Sequence, residues 1–195
     1  MKKRLFCTFI FVIIGCNNQN DQKLTENSQK ITALRLNNNS NAFDLSFQTL
    51  LTSYFNLKDQ LMAEDDSGLA KSARALILAS DSLKLDELQA DSNLVNTART
   101  YSDGISAEVM GLLGENNLLS KRRSFQMVSD QLYDLIRTVQ YKQKVLYHFY
   151  CEKAFDDQGA YWISDKLTIE NPYLSKSSAA CGAIKDTIQF HSFGL

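Results

Sequence analysis

From residue 42 onward the apolar positions fall at steps of three and four. Phe43, Phe47, Leu50, Leu51, Tyr54, Leu57 and Leu61 would line one face of a helix, since 3.6 residues make a turn. Asp65-Asp66-Ser67-Gly68 interrupts the stripe and offers a side-chain oxygen to the free N–H groups of a second helix, whose inner side is Leu69, Ala73, Leu76, Ile77, Ser80 and Leu83. A third helix is expected from a cap at Ser92 through Leu94, Ala98, Tyr101, Ile105 and Val109 to Leu112, yielding to Gly114-Glu115-Asn116-Asn117. A fourth runs from about Leu118 to Gln143 with Phe125, Val128, Leu132, Leu135, Ile136 and Val139 inward. Four amphipathic helices with short connections predict an antiparallel bundle. On that reading Arg122 and Arg123 lie on or beside the solvent face, and Met62, Met110 and Met127 fill the core.

Past Gln143 the pattern changes. Val145-Leu146-Tyr147-His148-Phe149-Tyr150-Cys151 and Ala160-Tyr161-Trp162-Ile163-Ser164 are aromatic and β-branched, and Asp156-Asp157-Gln158-Gly159 between them is turn-like. They predict a small β-hairpin. Asn171-Pro172-Tyr173 holds the only proline of the chain and reads as a fixed loop, and Ala180-Cys181-Gly182-Ala183 is small enough for close packing. The expected fold is therefore mostly α: an antiparallel four-helix bundle with a small C-terminal β-hairpin and loop, one domain over residues 42–190, followed by a tail at 191–195.

The residues before 42 read differently. Lys2, Lys3 and Arg4 precede an apolar stretch from Leu5 to Ile14, and ten residues are about half of what a membrane-spanning helix needs. Residues 1–15 are expected to be a cleavable export signal. Ile13-Ile14-Gly15-Cys16 resembles the bacterial lipobox, which implies that Cys16 carries the lipid. Residues 16–41, rich in Asn, Gln, Ser, Lys and Asp, would be a flexible tether. The expected membrane contact is then the lipid anchor, and the expected place is the cell envelope. Asn17 stands where some bacteria use Asp to keep lipoproteins at the inner membrane, which favours the outer membrane, facing the periplasm.

Charge narrows the partners. Loss of residues 1–15 removes three of the 21 Lys and Arg and none of the 22 Asp and Glu, leaving about −4. With Lys121-Arg122-Arg123 as the one basic cluster, nucleic acid is not an expected partner. No acid and base pair, nucleophile elbow or phosphate loop is found, so an enzyme is not expected.

The last fifty residues carry a further pattern. Cys151, Ala154-Phe155, Gly159-Ala160-Tyr161-Trp162-Ile163-Ser164, Ile169, Asn171-Pro172-Tyr173 and Cys181-Gly182 resemble an uncharacterised Gram-negative envelope domain family with C-P-M-A, G-A-x-W-L-S, I-x-N-P-Y and M-L-x-C-G elements. Upstream, Arg122, Arg123, Phe125, Ser129, Leu132 and Tyr133 fit the same family. Its members occur as lipoproteins and as extensions of heavy-metal efflux adaptor subunits. The resemblance thus implies metal handling, copper first, with an efflux adaptor or other envelope protein as partner. Cysteine and methionine sulfur are soft ligands suited to Cu(I). Glu152-Lys153 and Ser178-Ala179 replace the methionines, so Cys151 and Cys181 survive, with His148 as a third candidate. In a strand, residues 148 and 151 point to opposite faces, which weakens His148. His191 reads as a surface residue.

Three readings of the cysteines stay open: a disulfide or buried thiols, a metal site, or a redox-active pair. A bridge across thirty residues would contribute about 3 to 4 kcal/mol by the chain-entropy account. Bridge and Cu(I) site would be alternatives of one place, since only the reduced pair offers thiolates. Trp162, Tyr161, Tyr147, Phe149 and Tyr150 read as packing between hairpin and bundle. The expected function is a periplasm-facing, copper-type metal-binding or efflux-accessory lipoprotein; the alternative is a scaffold or accessory subunit that has kept the fold and lost the metal, with a structural Cys151–Cys181 disulfide.

Overall fold

The computed structural model describes residues 39–175 and 180–190. The export signal, Cys16, most of the proposed tether and the 191–195 tail with His191 lie outside these residues. Four long helices come first: α1 (Asn41–Ala63), α2 (Asp66–Asp81), α3 (Ser92–Gly114) and α4 (Leu118–Val139). The tether prediction thus overruns the start of α1 by one residue.

Each helix starts where a side-chain oxygen can take up its orphan N–H groups. Ser40 accepts from Phe43 N, Asp65 from Ser67 N and Gly68 N, Asp91 from Asn93 N and Leu94 N, and Asn117 from Ser120 N. The third cap is therefore Asp91, one residue ahead of the expected Ser92. The fourth helix stops earlier than the periodicity implies. Gln140 adopts a left-handed conformation (φ 47°), and Tyr141 turns inward to stack on Phe47 at 4.5 Å between ring centroids. Continuing the helix would withdraw that ring from the core.

The apolar stripes do face one another. Phe43, Phe47, Leu50, Leu57 and Leu61 of α1, Leu69, Ala73 and Leu76 of α2, Ala98, Ile105 and Val109 of α3, and Phe125, Val128, Leu132 and Leu135 of α4 form one buried cluster. Consecutive helices pack against one another. Met110 and Met127 do not join them: they are 55% and 45% exposed, on the outer sides of α3 and α4, away from Val109–Leu112 and Phe125–Val128. Arg122 departs in the opposite sense, being only 8% exposed, whereas Arg123 stays outside with its guanidinium 4.6 Å from the Phe155 ring centre.

The expected hairpin is present but is part of a larger sheet. β1 (Leu146–Cys151), β2 (Ala160–Ser164) and β3 (Ala183–Ile188) form an antiparallel sheet in the order β2-β1-β3. β3 was not foreseen because it lacks alternation: Ala183, Ile184, Lys185 and Thr187 are exposed and Ile188 alone is buried. In the turn between β1 and β2, Phe155, Asp156 and Asp157 all have positive φ, and Gly159 (φ 80°) sits so close to Tyr150 that a Cβ there would meet its hydroxyl.

β2 is an edge strand, yet its outward polar groups at Tyr161 and Ile163 are paired with a loop and a helix side chain. The Ile163 N–H donates to the Tyr54 hydroxyl at 3.0 Å, and the Tyr161 carbonyl accepts from the Tyr173 hydroxyl. Tyr54 in turn bonds Ser129 Oγ at 2.7 Å, and Ser129 donates to the Phe125 carbonyl at 2.9 Å and lies 3.3 Å from the Tyr173 hydroxyl. Burial, foremost, drives both tyrosine hydroxyls well above their ordinary pKa, so both keep their protons. α1, α4, β2 and the Asn171-Pro172-Tyr173 loop are thereby joined through one dry hydroxyl chain.

Two outcomes follow. Tyr54→Phe leaves the Ile163 N–H buried without an acceptor and should cost about 1 to 3 kcal/mol in urea unfolding; a loss below a few tenths would mean water replaces the hydroxyl. Asp130, next to Ser129 and half-buried, has its carboxyl pushed up to about 6 by burial first and by Asp134 second. A raised carboxyl pKa adds stability fully present below the ordinary carboxylate range and lost as pH climbs through about 6. Asp130→Asn should therefore be near neutral at low pH and stabilising by about 1 kcal/mol at pH 8, a figure discounted for partial exposure. An equal change in melting temperature at both pH values would contradict it.

Candidate functional site

The register of the sheet brings the two cysteines together. Tyr150 pairs with Ala183 across β1 and β3, so Cys181, two residues before Ala183, lies beside Cys151 at the end of β1. They are bonded as a disulfide with Cα atoms 5.4 Å apart. Cys151 is 1% exposed and Cys181 is half-buried.

The described part of the loop behind the bridge is held by paired polar groups. Asn171 donates through Nδ2 to the Cys181 carbonyl and accepts through Oδ1 from Tyr173 N, both at 2.8 Å. This is the local turn chemistry for which asparagine is suited. Arg122 reaches across from α4: Nε donates to the Pro172 carbonyl at 2.9 Å, and Nη2 to the Leu174 carbonyl and Glu64 Oε1, each at 3.2 Å. Its burial thus reflects a forked donor matched to backbone acceptors, which the default of a charged surface residue overlooks.

Glu170, just before this loop, binds Lys58 of α1 and Lys166 of the same loop. Burial raises its carboxyl pKa, but the hydrogen bonds from the two lysines outweigh that, and the net position is below the ordinary value. Lys58 is 2% exposed and also lies 3.4 Å from Asp59.

The remaining motif residues are packing elements. Trp162 is fully buried, stacks on Phe149 with centroids 5.2 Å apart and meets Tyr173 edge-on at 6.0 Å. A Cβ on Gly182 would come within 2.8 Å of Trp162 Cη2 and 2.9 Å of Ile169 Cγ2, so the absence of a side chain at 182 lets the bridge segment close over the indole.

His148 does not join the sulfurs. β1 pairs regularly with β2, which puts Phe149, Cys151 and Trp162 on one face and His148, Tyr150 and Tyr161 on the other. The imidazole is sandwiched between Tyr133 at 3.9 Å and Tyr161 at 4.6 Å. Burial lowers its pKa to about 4, with nearby Asp186 opposing and Arg137 adding to the shift, so it is neutral at pH 7. Beside it, Tyr133 donates to Asp186 at 2.9 Å and accepts from Arg137 at 2.7 Å.

Copper does not fit these residues as they stand. Cu(I) calls for thiolates, both sulfurs are spent on each other, and the imidazole faces away. Among the described residues no group of three His, Cys, Asp or Glu side chains is placed to hold a metal ion. Periodicity placed Tyr54 in the inner stripe but not in its hydrogen-bonding role, and it passed over Lys58. Their signal was faint: Tyr54 looked like an ordinary member of the stripe, and Lys58 is a charged residue directly beside its Leu57.

Removing the bridge with Cys151→Ser and Cys181→Ser together should lower stability by about 3 kcal/mol, while the far-UV circular dichroism of the helices stays unchanged. Loss of helical signal would show that the sheet is needed for the helices to form.

Among the described residues, no helix is long and apolar enough to cross a membrane. No curated protein and no solved structure matches the chain. Residues 50–144 match the model of a family described as protein of unknown function (DUF3347), from within α1 to just past α4, ending before Cys151.

Proposed function

We propose that this chain is a non-enzymatic accessory domain of the bacterial envelope, tethered by lipid at Cys16, facing the periplasm from the outer membrane, and held closed by a structural Cys151–Cys181 disulfide. Its helices are read as an antiparallel four-helix bundle whose outer surface is left for a protein partner, a heavy-metal efflux adaptor or another envelope component. The observation that carries this reading is that the motif residues are spent on internal contacts, even where Cys181 and Gly182 are only half-buried. Trp162, Asn171, Pro172, Tyr173, Gly182 and both cysteines are occupied with one another, with α4 or with β2. A bridge of this kind suits an oxidising compartment, which agrees with export.

The copper-type reading needs the bridge to open first. It is the competitor because the same two sulfurs, once reduced, would be neighbouring soft ligands.

The test uses protein extracted from membranes in detergent, before and after reduction, with a Cys151→Ser, Cys181→Ser variant alongside. On exposure to Cu(I), the accessory reading expects the reduced protein to retain no more copper than the variant. One Cu(I) per reduced chain, absent from the variant, would replace it with metal delivery. Incorporation of labelled fatty acid, lost in Cys16→Ala, checks the anchor.

A further inference from the structure

The two halves of the disulfide differ in their access to solvent. Cys151 closes the buried end of β1, whereas Cys181 lines an open pocket of about 340 Å³ together with Tyr150, Glu152, Lys153, Ala183 and Lys185. Lys153 and Lys185 are exposed, and Lys185 Nζ sits 5.5 Å from the centre of the Tyr150 ring. Two cations against the one carboxylate of Glu152 leave the pocket mouth net positive.

We propose that Cys181 Sγ is a thiol-exchange site that accepts anionic thiolates. Such exchange proceeds by attack of a thiolate on one sulfur, in line with the S–S bond, and the other sulfur leaves. Cys181 lines the pocket, whereas Cys151 is buried. An incoming R–S⁻ forms the new R–S–S–Cys181 bond, the Cys151–Cys181 bond breaks, and its electron pair departs on the Cys151 sulfur, which then takes a proton from water. No net oxidation occurs in this step, and a second thiolate completes reduction by attacking the mixed disulfide and freeing Cys181.

The surroundings also set the direction. Cys151 is held in the core beside the mixed disulfide, so on losing its proton it re-forms the bridge by attacking Cys181 Sγ and expelling the incoming thiolate. The Asn171 to Cys181 carbonyl bond keeps residue 181 in place meanwhile. The site therefore takes up a thiol reversibly, with the adduct on the outer sulfur. This rests on the bridge alone and is independent of whether the chain is an accessory or a metal carrier.

The test uses the detergent-extracted full chain treated with 2-mercaptoethanesulfonate, quenched in acid at early times and mapped by peptide mass spectrometry. The adduct is expected on Cys181 over Cys151 by about tenfold in the folded protein, and on both about equally in denaturant. At equal thiolate concentration the sulfonate should react about threefold faster than cysteamine, and Lys153→Ala with Lys185→Ala should abolish that preference. Equal adducts on both cysteines of the folded protein, or a preference for cysteamine, would overturn the proposal. The mapping on the unaltered chain decides it even if the lysine variant folds poorly.

Discussion

The free edge of β2 is the constraint around which the rest is arranged. A short sheet laid against helices must either expose its edge to water or satisfy the outward N–H and C=O groups from elsewhere. Here α1 and the 171–173 loop supply tyrosine hydroxyls, and Ser129 of α4 sits between them, its oxygen able to accept from one side while donating to a carbonyl one turn back. Each hydroxyl in the chain is placed by a different element: Tyr54 by α1, Ser129 by α4, Tyr173 by the loop. Docking the sheet brings all three into position together, so edge satisfaction and tertiary packing are coupled.

The charged groups serve the same docking. On α1, Tyr54 and Lys58 are four residues apart and share a face, one bonding β2 and the other Glu170. On α4, Arg122 and Ser129 are two turns apart, one binding the Pro172 and Leu174 carbonyls and the other the Tyr54 hydroxyl. Each helix thus carries a narrow polar strip inside its apolar stripe, and residues 170–174 are the segment that both strips grip. Buried charge is costly unless hydrogen-bonded, and Arg122 meets that condition with backbone carbonyls that cannot move away.

These facts explain what could be read from the residues alone. The helices were legible because burial of a helix requires a repeating apolar face, and the start of α2 was legible because Asp65-Asp66-Ser67-Gly68 offers orphan N–H groups an acceptor. β1 and β2 were legible from Leu146–Cys151 and Ala160–Ser164, whose aromatic residues mark them as strands. β3 was not, because its exposed positions are set by its place beside β1, which is tertiary information. Arg122 was misread for a related reason: its acceptors are carbonyls fifty residues away, and only a fold brings them within reach. Met110 and Met127 were misread because an apolar residue at the margin of a stripe gives no sign of which side it takes. The cysteine pairing lay between these cases, since compartment and spacing kept it open while the register of β1 with β3 decided it.

The sulfur chemistry follows from that register. Antiparallel neighbours at a strand end bring two Cβ atoms close enough for a covalent bond, and the bond consumes the lone thiolates on which soft-metal binding depends. A third ligand would have to come from the same face of the sheet, but the strand period gives that face to Trp162 and Phe149 and turns His148 toward Tyr133. Glu152 and Lys153, which stand where the resembling pattern has proline and methionine, are exposed at the mouth of the Cys181 pocket, so the change there exchanges a soft donor for charge beside the accessible sulfur. What such a corner can do is governed by electrostatics acting on a disulfide, and the fold sets Cys181 at a pocket while burying Cys151.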